Sequence, residues 1–139
     1  MDIDNLANRL WRARKDGKDA VMEPQDASLS VEDAYRLQQS YVRISGERNT
    51  GWKVGATATP MQENLGLSEP FAGPLLEGTT LSSPTTCALV AGQAAIVEVE
   101  FVLRMGEDYT PDDSGNSGRL ADAVDAVCAG IEVAGVRYP

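Results

Sequence analysis

Glu98 and Glu100 stand one residue apart inside an apolar run, and no other feature constrains the fold of this chain so tightly. Side chains alternate along a strand, so both carboxylates turn to one face while Ala95, Val97, Val99, Phe101 and Leu103 turn to the other. At about 3.3 Å rise per residue the two Cβ atoms lie roughly 6–7 Å apart, close enough for both acids to reach one cation. The opposite, wholly apolar face is expected in a core. Glu132 lies in a second short apolar strand, Ala129-Gly130-Ile131-Glu132-Val133-Ala134. The chain contains no histidine. A site built from Glu98, Glu100 and Glu132 therefore offers only oxygen ligands, a set suited to Mg²⁺ or Mn²⁺ rather than Zn²⁺. Pattern alone leaves a second reading open, in which the three acids are salt-bridged or edge-exposed carboxylates.

A length of 139 residues fits one compact domain, and a chain of this size is expected to bury something like two-thirds of its unfolded surface. The net charge of −9, with no basic cluster beyond Arg12-Ala13-Arg14-Lys15, argues against nucleic acid and anionic membranes as partners. No apolar stretch approaches the length of a bilayer span. The acidic start Met1-Asp2-Ile3-Asp4 lacks the basic and apolar regions of a secretory signal, so a cytoplasmic location is expected. Cys87 and Cys128 match no metal or redox spacing, and buried free thiols are expected.

The periodicity predicts an α+β chain, helices first and short strands later. Ile3, Leu6, Ala7, Leu10 and Trp11 recur at helical spacing behind Asp2, and Asp16-Gly17-Lys18 ends that run. Residues 18–29 read as a loop. Ser30 caps a second helix with Asp33 three residues on; its apolar stripe is Ala34, Leu37, Tyr41 and Ile44, and it ends near Gly46. Gly51 to Gly55 reads as a strand. Thr59 is the expected N-cap of a brief helix, with Pro60 at its first position, Gln62 at its third and Gly66 beyond its end. Residues 67–93 read as turns and short strands, 94–103 as the long strand, and 106–118 as a polar loop. Asp112 and Asp113 lack the spacing of a calcium loop and read as solvated. Leu120, Ala123, Val124 and Val127 predict a last helix leading into the Glu132 strand.

Lys53 is the second candidate. It lies between Trp52 and Val54, with Gly51 and Gly55 outside them, and such glycines let a backbone pass close to a ligand. A partly desolvated ammonium exchanges protons near neutral pH, whereas a nearby carboxylate holds it charged. Pattern alone favours an ordinary snorkelling surface lysine.

Several separated motifs, in order, resemble one known family. They are Asp33-Ala34-Tyr35 with Gln38, Gly51-Trp52-Lys53-Val54-Gly55-Ala56-Thr57, Gln62, Leu65-Gly66, Pro70 with Gly73, Glu98-Val99-Glu100, and Ile131-Glu132 with Arg137. Together they look like the 2-oxopent-4-enoate hydratase and 4-oxalocrotonate decarboxylase family of the fumarylacetoacetate hydrolase superfamily. The resemblance implies a small N-terminal α/β part over residues 1–75 carrying the lysine motif. Over residues 76–139 it implies the first strands of a β-roll carrying the glutamates. It implies that Glu98, Glu100 and Glu132 bind Mg²⁺ or Mn²⁺ and that Lys53 is the acid/base residue. The expected activity is a hydro-lyase adding water to 2-hydroxypenta-2,4-dienoate-type substrates in aromatic catabolism. Its expected partners are a small-molecule 2-hydroxy-dienoate or 2-oxo acid and further copies of itself in a homo-oligomer.

Three departures stand out. Many relatives carry an aspartate after the proline matching Pro70, where this chain has Phe71-Ala72-Gly73; Glu69 would need a different backbone path to replace it. An Asp-Ser pair common before the matching arginine is Gly135-Val136 here. The family's proteins are roughly twice as long, which leaves two readings: a fragment of an enzyme, or a short protein that needs a partner chain. Alternative activities within the resemblance are a 4-oxalocrotonate-type decarboxylase and a fumarylacetoacetate-type C–C hydrolase. The hydrolases commonly use a histidine–glutamate pair, which this histidine-free chain cannot form. A non-catalytic truncated subunit is the rival outside enzymology.

Overall fold

A computed structural model of the chain describes residues 2–89, 94–110, 115 and 117–135. Asp112, Asp113, Val136 and Arg137, named above, lie outside the described residues. The described residues form two compact units, 2–89 and 94–135.

The first unit begins with α1 (Ile3–Asp16). The Asp2 side chain accepts from the Asn5 N–H at 3.0 Å, and Gly17 closes the helix in the left-handed conformation at φ 61°. After a 3₁₀ turn over Pro24–Ser28 comes α2 (Val31–Ser45), capped by Ser30 on the Asp33 N–H at 3.1 Å and ended by Gly46. The helices α1 and α2 pack together. Leu6 and Ala7 are fully buried, and Trp11 meets Tyr41 edge-on with ring centroids 5.6 Å apart. Both helices match their sequence expectation because cap and apolar stripe agree. The 3₁₀ turn inside the expected 18–29 loop is a difference, built by a reciprocal cap between Glu23 and Asp26 around Pro24.

Asp26 ties that turn to α1. Its side chain is 2% exposed, accepts from the Glu23 N–H at 2.7 Å, and pairs with the Arg9 guanidinium at 2.7 Å. The Glu23 N–H first, and Arg9 with it, hold the Asp26 carboxyl below its ordinary value of 3.8. A lowered folded pKa stabilises the fold fully above the unfolded value, and the contribution is lost as pH falls through the folded one. Asp26→Asn is therefore expected to lower the melting temperature at pH 7 and to flatten its decline below about pH 4. Thermal melts of both proteins across that range check this, and parallel acid limbs would remove Asp26 as their cause.

The strands β1 (Asn49–Gly55) and β2 (Phe71–Leu76) pair antiparallel, and α3 (Thr59–Leu65) lies between them in sequence. The helix starts one residue earlier than expected: Ala58 is its N-cap without a side-chain bond, and Thr59 lies inside. The entry turn is held instead by Gln62, whose amide donates to the Ala56 carbonyl at 2.8 Å, with Ala56 itself at φ 53°. The Gln38 amide donates to the Ala72 carbonyl at 3.0 Å, and the Ala72 N–H donates to the Tyr35 hydroxyl at 3.2 Å. Two side chains of α2 thus satisfy backbone groups of β2 that the β1 ladder leaves unused.

The second unit is a long two-stranded ribbon, β3 (Ala95–Met105) with β4 (Val124–Gly135), preceded on the β4 side by α4 (Ser117–Ala123). Two expectations fail here. Val124 and Val127 belong to β4 rather than to the last helix, and β4 runs for 12 residues instead of a short 129–134 strand. The spacing of Leu120, Ala123, Val124 and Val127 is helical, but from Val127 onward Ala129, Ile131 and Val133 also alternate with period two. Eleven paired positions with β3 decide in favour of the strand.

The apolar face expected in a core is not covered either. Phe101 is 89% exposed, Val99 81% and Ile131 73%. Among the described residues β3 pairs only with β4, and no further strand of the unit lies against that face. Cys87 and Cys128 are exposed, contrary to expectation: Cys87 lies outside the regular elements, and Cys128 sits on the thin ribbon. No helix among the described residues is long and apolar enough to cross a membrane.

Candidate functional site

Residues directly opposed in an antiparallel pair share a face of the sheet. Glu98 is opposed to Glu132, and Glu100 to Gly130, so all three acids project from the same side of the ribbon. Their nearest carboxylate oxygens lie within 4.8 Å of one another; Glu100 and Glu132 are half-buried and Glu98 is exposed. An octahedral ion with metal–oxygen distances of about 2.0–2.1 Å spans roughly 4.2 Å between opposite ligands, so small rotamer changes bring the three oxygens onto one ion. Two like charges directly opposed across a strand pair are unfavourable by themselves. That arrangement, with an oxygen-only donor set, fits a hard divalent cation.

Gly130, across from Glu100, is tightly packed. A Cβ there would meet the Val102 Cγ2 at 2.6 Å and the Glu100 Cβ at 3.9 Å. The stiff valine methyl occupies that room, so the position across from Glu100 is filled by Val102 and only glycine fits on β4 there. Cys128, opposed to Val102, lies on the same face. The sequence alone did not place Gly130 or Cys128 on this face, because their opposition to Glu100 and Val102 depends on strand register.

In the first unit Lys53 is half-buried on β1. Gly51 and Gly55 share its face, and so do their cross-strand partners: Leu75 opposite Gly51, Gly73 opposite Lys53, and Phe71 opposite Gly55. The Phe71 ring leans across the strands, and a Cβ on Gly55 would fall 2.6 Å from its Cζ. A Cβ on Gly51 would lie 3.6 Å from the Leu75 Cδ1. The other face of this strand pair carries Trp52 and Pro74. There a hollow of about 330 Å³ opens toward Tyr35, Gln38 and Val42 of α2. Glu69 is exposed and lines a separate 100 Å³ hollow beside Phe71.

The three sequence-derived acids are thus brought together within the second unit, and Lys53 stands in the first. Phe71 and Leu75 carried no signal as neighbours of Lys53. Pairing a glycine on one strand with a large apolar residue on the other could have suggested them, once the register was known.

No family model matches the chain. The chain is 30% identical over 138 residues to a 2-keto-4-pentenoate hydratase of Paraburkholderia xenovorans (strain LB400), a match that covers 96% of this chain and 51% of that enzyme. It is 34% identical over 76 residues to the 2-oxo-hept-4-ene-1,7-dioate hydratase of Escherichia coli, covering 52% of this chain and 28% of the other. Its structure superposes with a TM-score of 0.72 on 4-oxalocrotonate decarboxylase from Pseudomonas putida G7, a complex with magnesium and adipate. That likeness covers 98% of this chain and 53% of the other at 19% identity, and it establishes a shared fold. The chain spans about half the length of the curated hydratase it matches almost end to end.

Proposed function

We propose that this chain, which belongs to the family of the 2-keto-4-pentenoate hydratases, carries the metal-binding and acid/base residues of a hydro-lyase. Its substrates are 2-hydroxypenta-2,4-dienoate-type compounds of aromatic catabolism, and its products are 4-hydroxy-2-oxo acids. The observation that carries the reading is the convergence of Glu98, Glu100 and Glu132 to within 4.8 Å on one face of the ribbon.

In this reading each glutamate gives one oxygen to Mg²⁺ or Mn²⁺. When bound, the cation supplies an anchor for the substrate's carboxylate and Lewis-acid stabilisation of negative charge on its C2 oxygen. Lys53 delivers a proton to C5 of the dienol as the enol O–H proton departs, which leaves an enone conjugated with the C2 carbonyl. Water then forms its bond to C4 and gives up a proton as C3 gains one. The relatives' names span a monocarboxylate and a dicarboxylate, so either kind of tail fits the reading at this level.

The likeness to a decarboxylase supports a second reading, because the same carboxylates would hold a cation that serves as electron sink for loss of CO₂. The β-roll implied by the resemblance is also part of the proposal, with β3 and β4 as its first strands. So are a cytoplasmic location and a homo-oligomeric state. The exposed apolar face of β3 and β4 supports an assembly that covers it, since large exposed apolar patches mark interaction surfaces.

Titration of Mn²⁺ into the purified protein, alone and with 2-hydroxypenta-2,4-dienoate, tests the reading. Saturable binding at one site and metal-dependent loss of the dienol absorbance, with no CO₂ released, are expected. Binding without turnover points to a non-catalytic subunit, CO₂ release from 4-oxalocrotonate points to the decarboxylase, and absence of binding ends the metal reading.

A further inference from the structure

We propose that the hollow between α2 and the Trp52 face of the β1–β2 pair is a second ligand site, which takes an aromatic monocarboxylate. The ring lies against the Trp52 indole and the carboxylate bonds to Arg43. The site belongs wholly to the first unit, on the strand face opposite to Lys53, and it stands apart from the hydratase reading.

Two stripes of α2 make the hollow. Tyr41 lies on the stripe that faces α1, where it meets Trp11. Tyr35, Gln38, Val42 and Arg43 recur at helical spacing on another stripe and line the hollow, across from Trp52 and Pro74, which are directly opposed on β1 and β2. One end of the hollow is fixed by hydrogen bonds. The Gln38 amide donates to the Ala72 carbonyl at 3.0 Å, and the Tyr35 hydroxyl accepts from the Ala72 N–H at 3.2 Å. These bonds tie α2 to β2, so the walls stand in place before a ligand arrives and little ordering is left to binding.

Three features select the occupant. The space, about 330 Å³, is at the small end of ligand sites and suits one substituted ring. Its lining is mainly apolar, and Trp52, 63% exposed, has aromatic surface to offer a second ring. Arg43 is the one charged residue of the lining, so the hollow is complementary to an anion. Its Nη2 donates to Asp4 Oδ1 at 2.7 Å, and the same oxygen accepts from the Ser40 hydroxyl at 2.7 Å. Asp4 thereby steadies the guanidinium through one of its three nitrogens, and a ligand carboxylate bonds to another. A net charge of −9 disfavours anions over the surface as a whole, so binding here depends on that guanidinium.

Benzoate titrated into the metal-free protein tests this, because no ion at the glutamates can then capture the carboxylate. NMR reads the two tryptophan indole N–H signals, and Trp52→Phe identifies which is which. The Trp52 signal is expected to shift saturably while that of Trp11, packed on Tyr41, stays in place. Benzamide, which keeps the ring without the charge, is expected to bind at least about tenfold more weakly. Cyclohexanecarboxylate, which keeps the charge without the flat ring, is expected to bind more weakly too. Arg43→Gln is expected to weaken benzoate at least about tenfold and to leave benzamide unchanged. Asp4→Asn releases the guanidinium and is expected to hold or tighten benzoate, which a merely structural role for the Asp4–Arg43 pair would not allow. Both side chains are exposed, so neither variant threatens the fold. Absence of a saturable shift at Trp52, equal binding of benzoate and either analogue, or unchanged benzoate binding in Arg43→Gln overturns the proposal. So does weaker benzoate binding in Asp4→Asn. A Trp52 signal that moves with protein concentration alone would mean that a second copy covers this face, and would overturn it as well.

Discussion

Lys53→Met is expected to lower turnover of 2-hydroxypenta-2,4-dienoate by about 10²–10⁴-fold, the usual worth of a positioned proton donor, with Mn²⁺ affinity unchanged. The two effects separate because the residues do different jobs. The glutamates supply every protein oxygen assigned to the cation, and they come from β3 and β4. Lys53 comes from β1, where its unbranched stem fits a strand flanked by glycines at 51 and 55. Methionine keeps most of the length and apolar character of that stem and removes only the ammonium. Lys53→Arg sharpens the result: it restores positive charge, but a guanidinium does not release its proton at working pH. Both variants inactive means that proton transfer is the role. An active arginine variant would reassign Lys53 to fixed-charge stabilisation, and an active methionine variant would remove it from the chemistry.

Glu132→Gln is expected to weaken Mn²⁺ binding by at least about 100-fold, beyond the 10–100-fold typical of disturbing a ligand's supporting partner. Glu132 is the residue for this test because it is directly opposed to Glu98 and is the only one of the three acids on β4. Its oxygen is what makes the site span two strands, and glutamine removes one unit of the charge that balances the ion. Binding shows up in stability as well. A cation at 100 times its dissociation constant stabilises the folded state by about 2.7 kcal/mol. At that same concentration a variant with 100-fold weaker binding gains only about 0.4 kcal/mol. Thermal melts with and without Mn²⁺, beside direct titration, measure both quantities. Equal stabilisation of the two proteins by the cation would mean that it binds elsewhere.

Much of the first unit was legible in the amino-acid order. Asp2 with Gly17 and Ser30 with Gly46 bracket apolar stripes of helical period, so local caps and burial pattern point to the same two helices. The start of α3 was displaced by one residue because a longer-range bond, Gln62 to the Ala56 carbonyl, holds its entry. In the second unit the alternation around Glu98 and Glu100 identified β3. The stretch after Ala123 was misread, since Val124 and Val127 satisfy a helical and a strand period alike and only pairing with β3 separates them. The buried placement of the apolar β3 face and of both cysteines failed for a related reason. Periodicity says which residues share a face but not whether a second layer covers it.

The amino-acid order by itself determined that Glu98 and Glu100 share one side of a strand and that the glutamates offer an ion only oxygen. It also determined that Lys53 has glycines two residues away on each side. These follow from the two-residue repeat of a strand and from the side chains present, which need no partner. Tertiary structure alone decided that Glu132 is opposed to Glu98, that Gly130 gives its space to the Val102 methyl beside Glu100, and that Phe71 and Leu75 flank Lys53. Register between distant segments is set by cross-strand hydrogen bonds and side-chain fit, and a slip of one residue would turn Glu132 to the apolar side.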